Sequence, residues 1–422
     1  MSARMRRALP MAGLGLGLAM GLANVMGYVF VALVSSSLGP ADFGGFSALN
    51  TYGVLLAMPA GAFQVVVARR QTRAHIDADR QVTGLTTSAV VGIVLSIVTI
   101  ASAPVLSGLL RLDTPWSVVW MALMLPPMTA TGAIQGVLLG REAFGRLSVI
   151  YLVTAGTRVL AAGCAVGWSF SVAEVFAATF AASAVTLVVA LALSRRELVP
   201  GARAPRALDV LSDLVRSNVA LAGLMALSSL DVVLARTVLS DHDSGSYALA
   251  ALFGKVVFWG TQFVALAVVP AVADAGGLGQ VRSTLHRSAL TVLGIGSVVA
   301  LGCAVLPGPL VALSGGSAYV DAEPLLVWAA VVGTLWAVVQ VWLFAGMSRG
   351  DHVMTAVVWA AACAQGVLVL VWFNGSPYQV FATVGGVAAV VALVGLLRVP
   401  RGEVTPGPDS LETTEALGLT RE

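Results

Sequence analysis

Four charged residues stand inside long apolar runs, and these are the side chains best placed to do chemistry. Lys255, the single lysine of the chain, Arg158 and Arg236 are the cations, and Asp231 is the acid. A charge at the bilayer centre costs about 2.5–3.5 kcal/mol on insertion scales, so it faces a cavity or a partner. Lys255, Arg158 and Arg236 are therefore candidate substrate-binding cations of a cavity, with Asp231 as cavity acid or ion-pair partner. For Arg236, near a helix end, snorkelling to the interface is the plainer reading. Asp231 and Arg236 lie on one predicted helix with side chains about 140° apart, so they are not natural partners.

Other constellations are missing from the sequence. The histidines fall in predicted loops, and Cys164, Cys303 and Cys363 sit in apolar runs without metal-ligand spacing. Gly254–Lys255 lacks the upstream glycine of a phosphate loop, and Val256 follows it. The expectation is a protein that is not an enzyme, with no catalytic residue, no metal, no cofactor and no nucleic-acid partner.

The elements that must position these charges follow from composition. Apolar residues make up 58% of the 422 and charged residues 11%, against about 25% charged in soluble domains. The apolar runs are about 20 residues or longer, the length of a helix that crosses hydrocarbon. They predict an all-α, polytopic membrane protein with about twelve segments, at 9–37, 43–68, 83–109, 116–140, 146–168, 172–194, 216–239, 245–272, 288–307, 324–347, 352–373 and 377–398. The stretch from Leu9 to Leu38 is too long for a signal peptide core and reads as a retained first helix. The polar, proline-bearing tail 401–422 is predicted to be a disordered cytoplasmic tail.

Nearly all of the 24 lysines and arginines alternate to one side of these segments, and Arg111 alone lies in a loop on the other. The positive-inside rule then puts both termini in the cytoplasm and the chain in the cytoplasmic membrane. Outer loops are short, which leaves little room for a catalytic domain.

The chain also echoes itself. Leu38–Gly53 and Leu239–Gly254 align at one constant offset, matching Asp42 with Asp243, Gly44 with Gly245, Phe46 with Tyr247 and Gly53 with Gly254. A second echo matches Thr129 with Thr334, Gln135 with Gln340 and Leu138 with Leu343. These predict two six-helix lobes of the same orientation, residues 1–200 and 201–400, as in transporters built from parallel repeats. Asp42 and Asp243 are expected to cap helix N-termini. Pro59 with Gly61, Pro126–Pro127 with Gly132, and Pro270 are expected to bend their helices, as flexing points or as static packing.

Asp231 and Lys255 flank the turn near His242 at about the same distance, which sets their depths within roughly 3 Å. Consecutive helices are usually neighbours, so the two side chains are predicted to share the protein interior, with Asp231 holding the ammonium when the site is empty.

The segment LGPADFGGFSAL after the first helix, and Ser228–Trp259 in the second half, resemble the polysaccharide-transporter family of the multidrug/oligosaccharidyl-lipid/polysaccharide exporter superfamily. The resemblance implies two six-helix lobes forming a V around a cavity lined mainly by helices 1, 2, 7 and 8. It also implies a flippase of undecaprenyl-diphosphate-linked oligosaccharide for cell-surface polysaccharide biosynthesis, working by alternating access. The lipid-linked glycan, the bilayer and a glycan polymerase or glycosyltransferases are the partners it implies. Two rival readings stand beside it. One is a multidrug or small-molecule antiporter of the same fold, for which Asp231 is the single mid-helix acid. The other is a non-transporting scaffold in a glycan export complex.

Overall fold

The computed structural model describes residues 3–76, 84–195, 207–273, 277–348 and 352–398, and every regular element among them is helical. A chain in hydrocarbon must satisfy its own backbone, and an apolar helix does so without partners. The first half holds α1 (Ala3–Ser37), α2 (Pro40–Leu56), α3 (Met58–Ile76), α4 (Leu85–Ala101), α5 (Ala103–Leu109), α6 (Trp116–Leu123), α7 (Leu125–Gly140), α8 (Phe144–Trp168) and α9 (Val172–Ser194). The second holds α10 (Ala207–Val238), α11 (Asp241–Gly260), α12 (Gln262–Ala273), α13 (Leu278–Val305), α14 (Pro307–Ser314), a 3-10 stretch (Ser317–Leu325), α15 (Leu326–Ser348), α16 (Val353–Val371) and α17 (Pro377–Leu397). Among the described residues, eleven stretches are long and apolar enough to span a membrane, and α4 with α5, bent by 62°, makes a twelfth. They coincide with the predicted segments. The tail 401–422 lies outside the described residues.

Leu160, Val188, Val298 and Leu301 are exposed on the outside of the bundle, as side chains that face lipid should be. Trp116, Trp168 and Trp372 are exposed at the arginine-poor ends of α6, α8 and α16, the level of an interfacial aromatic belt.

Four segments are broken within their length, at Ala57, Ser102, Met124 and Thr261. Pro59 and Pro126–Pro127 stand in the first turns that follow two of these breaks, where a missing N–H costs nothing. Pro270 does not mark a break: α12 runs on through it. The interruption falls instead at Thr261, whose hydroxyl donates to Val257 O at 2.8 Å and takes up a carbonyl of the preceding turn.

Helices pack mostly within their own half. In the first, α1 lies on α8, α3 and α4 on α7, and α9 on α6, α7 and α8; in the second, α15 is the hub for α11, α12, α13 and α17. The halves meet where α2 packs on α10 and α11, where α3 meets α10, and where α1 touches α14.

The starts of α2 and α11 correct one expectation. The N-cap of α11 is Ser240, whose Oγ accepts from Asp243 N at 3.1 Å and donates to Asp243 Oδ2 at 2.7 Å. The N-cap of α2 is Gly39, without a side-chain cap. Asp42 and Asp243 are therefore first-turn acids facing the positive end of the helix dipole, one turn inside the capping position. A serine or glycine fits the extended cap backbone, and the acid three residues on supports it.

Candidate functional site

The four charges inside the apolar runs separate into three places: a seam between the halves for Arg236, and one cavity inside each half for Arg158 and for Lys255 with Asp231.

The seam lies at the arginine-poor end and is organised by Arg236. Its side chain is only 3% exposed. Nε donates to Leu110 O at 2.8 Å, Nη1 to Ala41 O and Ser244 Oγ at 3.0 Å each, and Nη2 to Arg111 O at 2.9 Å. Asp241 Oδ1 lies 3.2 Å from Nη1 and also 3.2 Å from Arg111 Nε. Arg111 returns the contact by donating to the carbonyls of Arg236 and Leu239, the latter at 2.6 Å. Arg111 has a left-handed backbone, φ 48°, a strained state for a non-glycine residue that persists only where surroundings fix it.

Around this cage the halves touch closely. Tyr319 donates to Leu38 O at 2.8 Å, its ring meets Phe43 edge-on at 5.8 Å, and Ser35 donates to Ser314 O. Gly44 and Gly245, partners in the sequence echo, face each other across the seam. A Cβ on Gly245 would overlap the Pro40 carbonyl, and one on Gly44 would lie 2.6 Å from Ser244 Oγ.

Arg236 is thus neither a cavity cation nor a snorkelling side chain. Its fork is filled by three carbonyls of the first half and by the Ser244 hydroxyl and Asp241 carboxylate of its own half, a set of acceptors that a guanidinium matches and an ammonium does not. Arg111 and Asp241, which the sequence reading gave no role, complete the cage. The signal for Arg111 was its isolation as the one loop cation on its side.

The second-half cavity lies between α10, α11, α15 and α17, with Ser228, Asp231, Lys255, Phe258, Trp336 and Phe381 among its walls. Gly254 and Gly333 pack backbone to backbone beside it, which brings α11 and α15 together without filling the space. The predicted meeting of Asp231 and Lys255 in one interior space is what the helices produce. The holder of the acid is different, however. Asp231 is 4% exposed, and Tyr247 donates to its Oδ2 at 2.9 Å. Oδ1 has no partner, and neither has Trp336 Nε1. Lys255 and Asp231 do not close to an ion pair within 4.0 Å. Tyr247 is itself fixed by stacking on Phe381, with ring centroids 4.1 Å apart. From the other half, Tyr28 of α1 donates to the Lys255 carbonyl at 3.3 Å, so the lysine stands where the halves meet. From sequence Tyr247 stands out only as the echo partner of Phe46, with no role toward Asp231, and Tyr28 does not stand out.

The first-half cavity lies between α7, α8 and α9 and is walled in part by Thr131, Gln135, Thr154, Arg158, Ser183 and Thr186. Phe30 of α1 covers the guanidinium, with Arg158 Cζ 4.8 Å from the ring centroid, a favourable cation–π contact. Arg158 and Lys255 therefore serve separate cavities.

Residues 13–275, more than half of the chain, match the family of polysaccharide biosynthesis proteins. The chain belongs to that family. No curated protein is similar enough to match this polysaccharide biosynthesis protein. Among solved structures it is similar to an inward-facing multidrug resistance MATE family transporter of the MOP superfamily, at 12% identity and TM-score 0.75, over 97% of this chain and 100% of that one. An outward-facing structure described in the same way gives 14% identity and TM-score 0.58, over 97% of each chain. The lipid II flippase MurJ in an inward closed conformation gives 10% identity and TM-score 0.66, over 91% of this chain and 87% of that one. At these identities the likeness establishes the fold. This family member is a multi-pass membrane protein with the fold of the MOP transporters.

Proposed function

We propose that this protein is a transporter that flips undecaprenyl-diphosphate-linked oligosaccharide across the cytoplasmic membrane by alternating access of two six-helix lobes, residues 1–200 and 201–400. Both termini lie in the cytoplasm in this reading, so the arginine-poor end is the outer side. A diphosphate does not cross hydrocarbon unaided, and a fixed cation in the path lowers that barrier. The observation that carries the reading is Lys255: it lines the second-half cavity without closing an ion pair to Asp231, and its backbone carbonyl accepts from Tyr28 of the other half. Lys255 is the main diphosphate anchor, and Arg158 stands in a separate cavity of the first half. Arg236 serves as the outer gate, because its donors are already filled by first-half carbonyls and by Ser244 and Asp241 of its own half. The greater likeness to an inward-facing than to an outward-facing relative supports a cavity open to the cytoplasm. The family description, polysaccharide biosynthesis, supports a glycan cargo and glycosyltransferases or a glycan polymerase as neighbours in the pathway.

Deleting the gene should make lipid-linked glycan accumulate at the inner leaflet and remove surface polysaccharide. Wild type should restore export, Lys255→Arg in part, and Lys255→Ala not at all while accumulating to normal abundance. Normal export by Lys255→Ala would overturn the assignment. A second reading, cation-coupled export of small molecules, is favoured by the unpartnered Oδ1 of Asp231. It predicts that Asp231→Asn abolishes drug efflux while glycan export is untouched.

A further inference from the structure

The first-half cavity contains a charge that none of its described wall residues neutralises. Arg158 stands mid-way along α8, its Nε is buried without a hydrogen-bond partner, and among the described residues none of those walling the cavity is acidic. A guanidinium does not deprotonate in a protein, so it stays charged where an isolated charge is costly. Phe30 covers one face of the guanidinium but supplies no counter-charge.

The polar groups around it are sorted by donor and acceptor. Thr154 donates to Ile150 O at 2.7 Å, Ser183 to Thr179 O at 3.0 Å and Thr186 to Ala182 O at 2.9 Å, so their protons are committed to their own helices. Thr131 is different: it is 7% exposed, and its hydroxyl has no partner. Gln135 stands one helical turn from it on α7 and adds an amide to the same wall. The free groups are thus Arg158 Nε, the Thr131 hydroxyl and the Gln135 amide, and each can donate. A donor-rich space with one fixed positive charge fits a singly charged oxyanion, which a guanidinium fork binds through two oxygens.

We infer that Arg158, Thr131 and Gln135 form an anion site inside the first half that takes one singly charged oxyanion, either a small free anion or the phosphodiester of an anionic lipid. The site is walled by α7, α8 and α9, apart from the Lys255 cavity, and does not depend on which cargo the protein moves. Its occupant completes the charge balance of the first half and steadies the packing of α8 on α1.

The purified full chain in nanodiscs tests this by thermal unfolding, with formate replacing gluconate at constant ionic strength. In phosphatidylcholine discs, wild type should gain a saturable rise in Tm with formate, and Lys255→Ala should keep it. Arg158→Gln should lose the rise, and Thr131→Val should need about 5-fold more formate, the effect of one hydrogen bond. If an anionic headgroup is the natural occupant, discs containing phosphatidylglycerol should show the raised Tm without formate, again through Arg158. Should Arg158→Gln fail to fold, the Thr131→Val titration decides. The inference is overturned if neither formate nor phosphatidylglycerol gives a saturable rise, or if Arg158→Gln and Thr131→Val titrate as wild type does.

Discussion

Arg236 and Arg158 are both arginines in apolar helices, and their surroundings differ in kind. Arg236 donates to carbonyls of Ala41, Leu110 and Arg111 and pairs with Asp241. Arg158 has an aromatic ring on one face and an open cavity on the other, with Nε unpaired. Lys255 resembles Arg158, standing in a cavity beside an acid whose second oxygen is free. The seam spends its charges on holding two halves together. The cavities keep theirs available. Charge in a membrane helix therefore does not identify a binding site on its own; what decides is whether its donors are already used.

The largest expected effect comes from breaking the seam. Arg236→Ala leaves the carbonyls of Ala41, Leu110 and Arg111 without their donor and Asp241 with Arg111 alone, a cost of about 1–3 kcal/mol for each buried acceptor left unsatisfied, and should deplete the closed state. Labelling of a cysteine placed at Leu112 by an impermeant maleimide added outside should then rise sharply. Arg236→Lys should fall between, since charge survives and the fork does not. Gly245→Val is next: its side chain overlaps the Pro40 carbonyl, and overpacking of about 1–3 kcal/mol should raise the same labelling while Arg236 is intact. An unchanged labelling rate in both variants would remove the distinction between seam and cavity.

In the second-half cavity, Tyr247→Phe removes the donor to Asp231 Oδ2. Its loss leaves a buried acceptor unsatisfied, at a cost of about 1–3 kcal/mol. Thermal stability should drop, and Asp231→Asn should be milder than Lys255→Ala in export. If Asp231→Asn and Lys255→Ala instead reduce abundance equally, the two are a structural pair and the cavity is no anchor. The smallest effect is local. Ser240→Ala should cost about 1 kcal/mol by uncapping α11, seen as a lower Tm with export unchanged.

The span count and the placing of Lys255 with Asp231 were legible because both rest on spacing: apolar runs set helices, and equal distance from a turn sets equal depth. The role of Arg236 was not legible. Its acceptors are backbone carbonyls of Ala41, Leu110 and Arg111, distant in the chain, and any residue type supplies a carbonyl. The same holds for the break at Thr261, because a hydroxyl bonding back to its own helix leaves no pattern in the sequence. Asp42 and Asp243 were found in the right turn of the helix but at the wrong position, since Gly39 and Ser240 take the cap.

The central claim is that the seam is a gate that must open for cargo to leave. Gly44→Cys with Ser244→Cys, in a chain with Cys164, Cys303 and Cys363 replaced, puts two thiols across the seam, where a Gly44 Cβ would stand 2.6 Å from Ser244 Oγ, close enough for a disulfide after small adjustment. The measurement is transfer of labelled lipid-linked glycan in inverted membrane vesicles of the host. The account predicts that oxidation stops transfer and that reduction restores it. Transfer at the reduced rate through a fully cross-linked seam would contradict it.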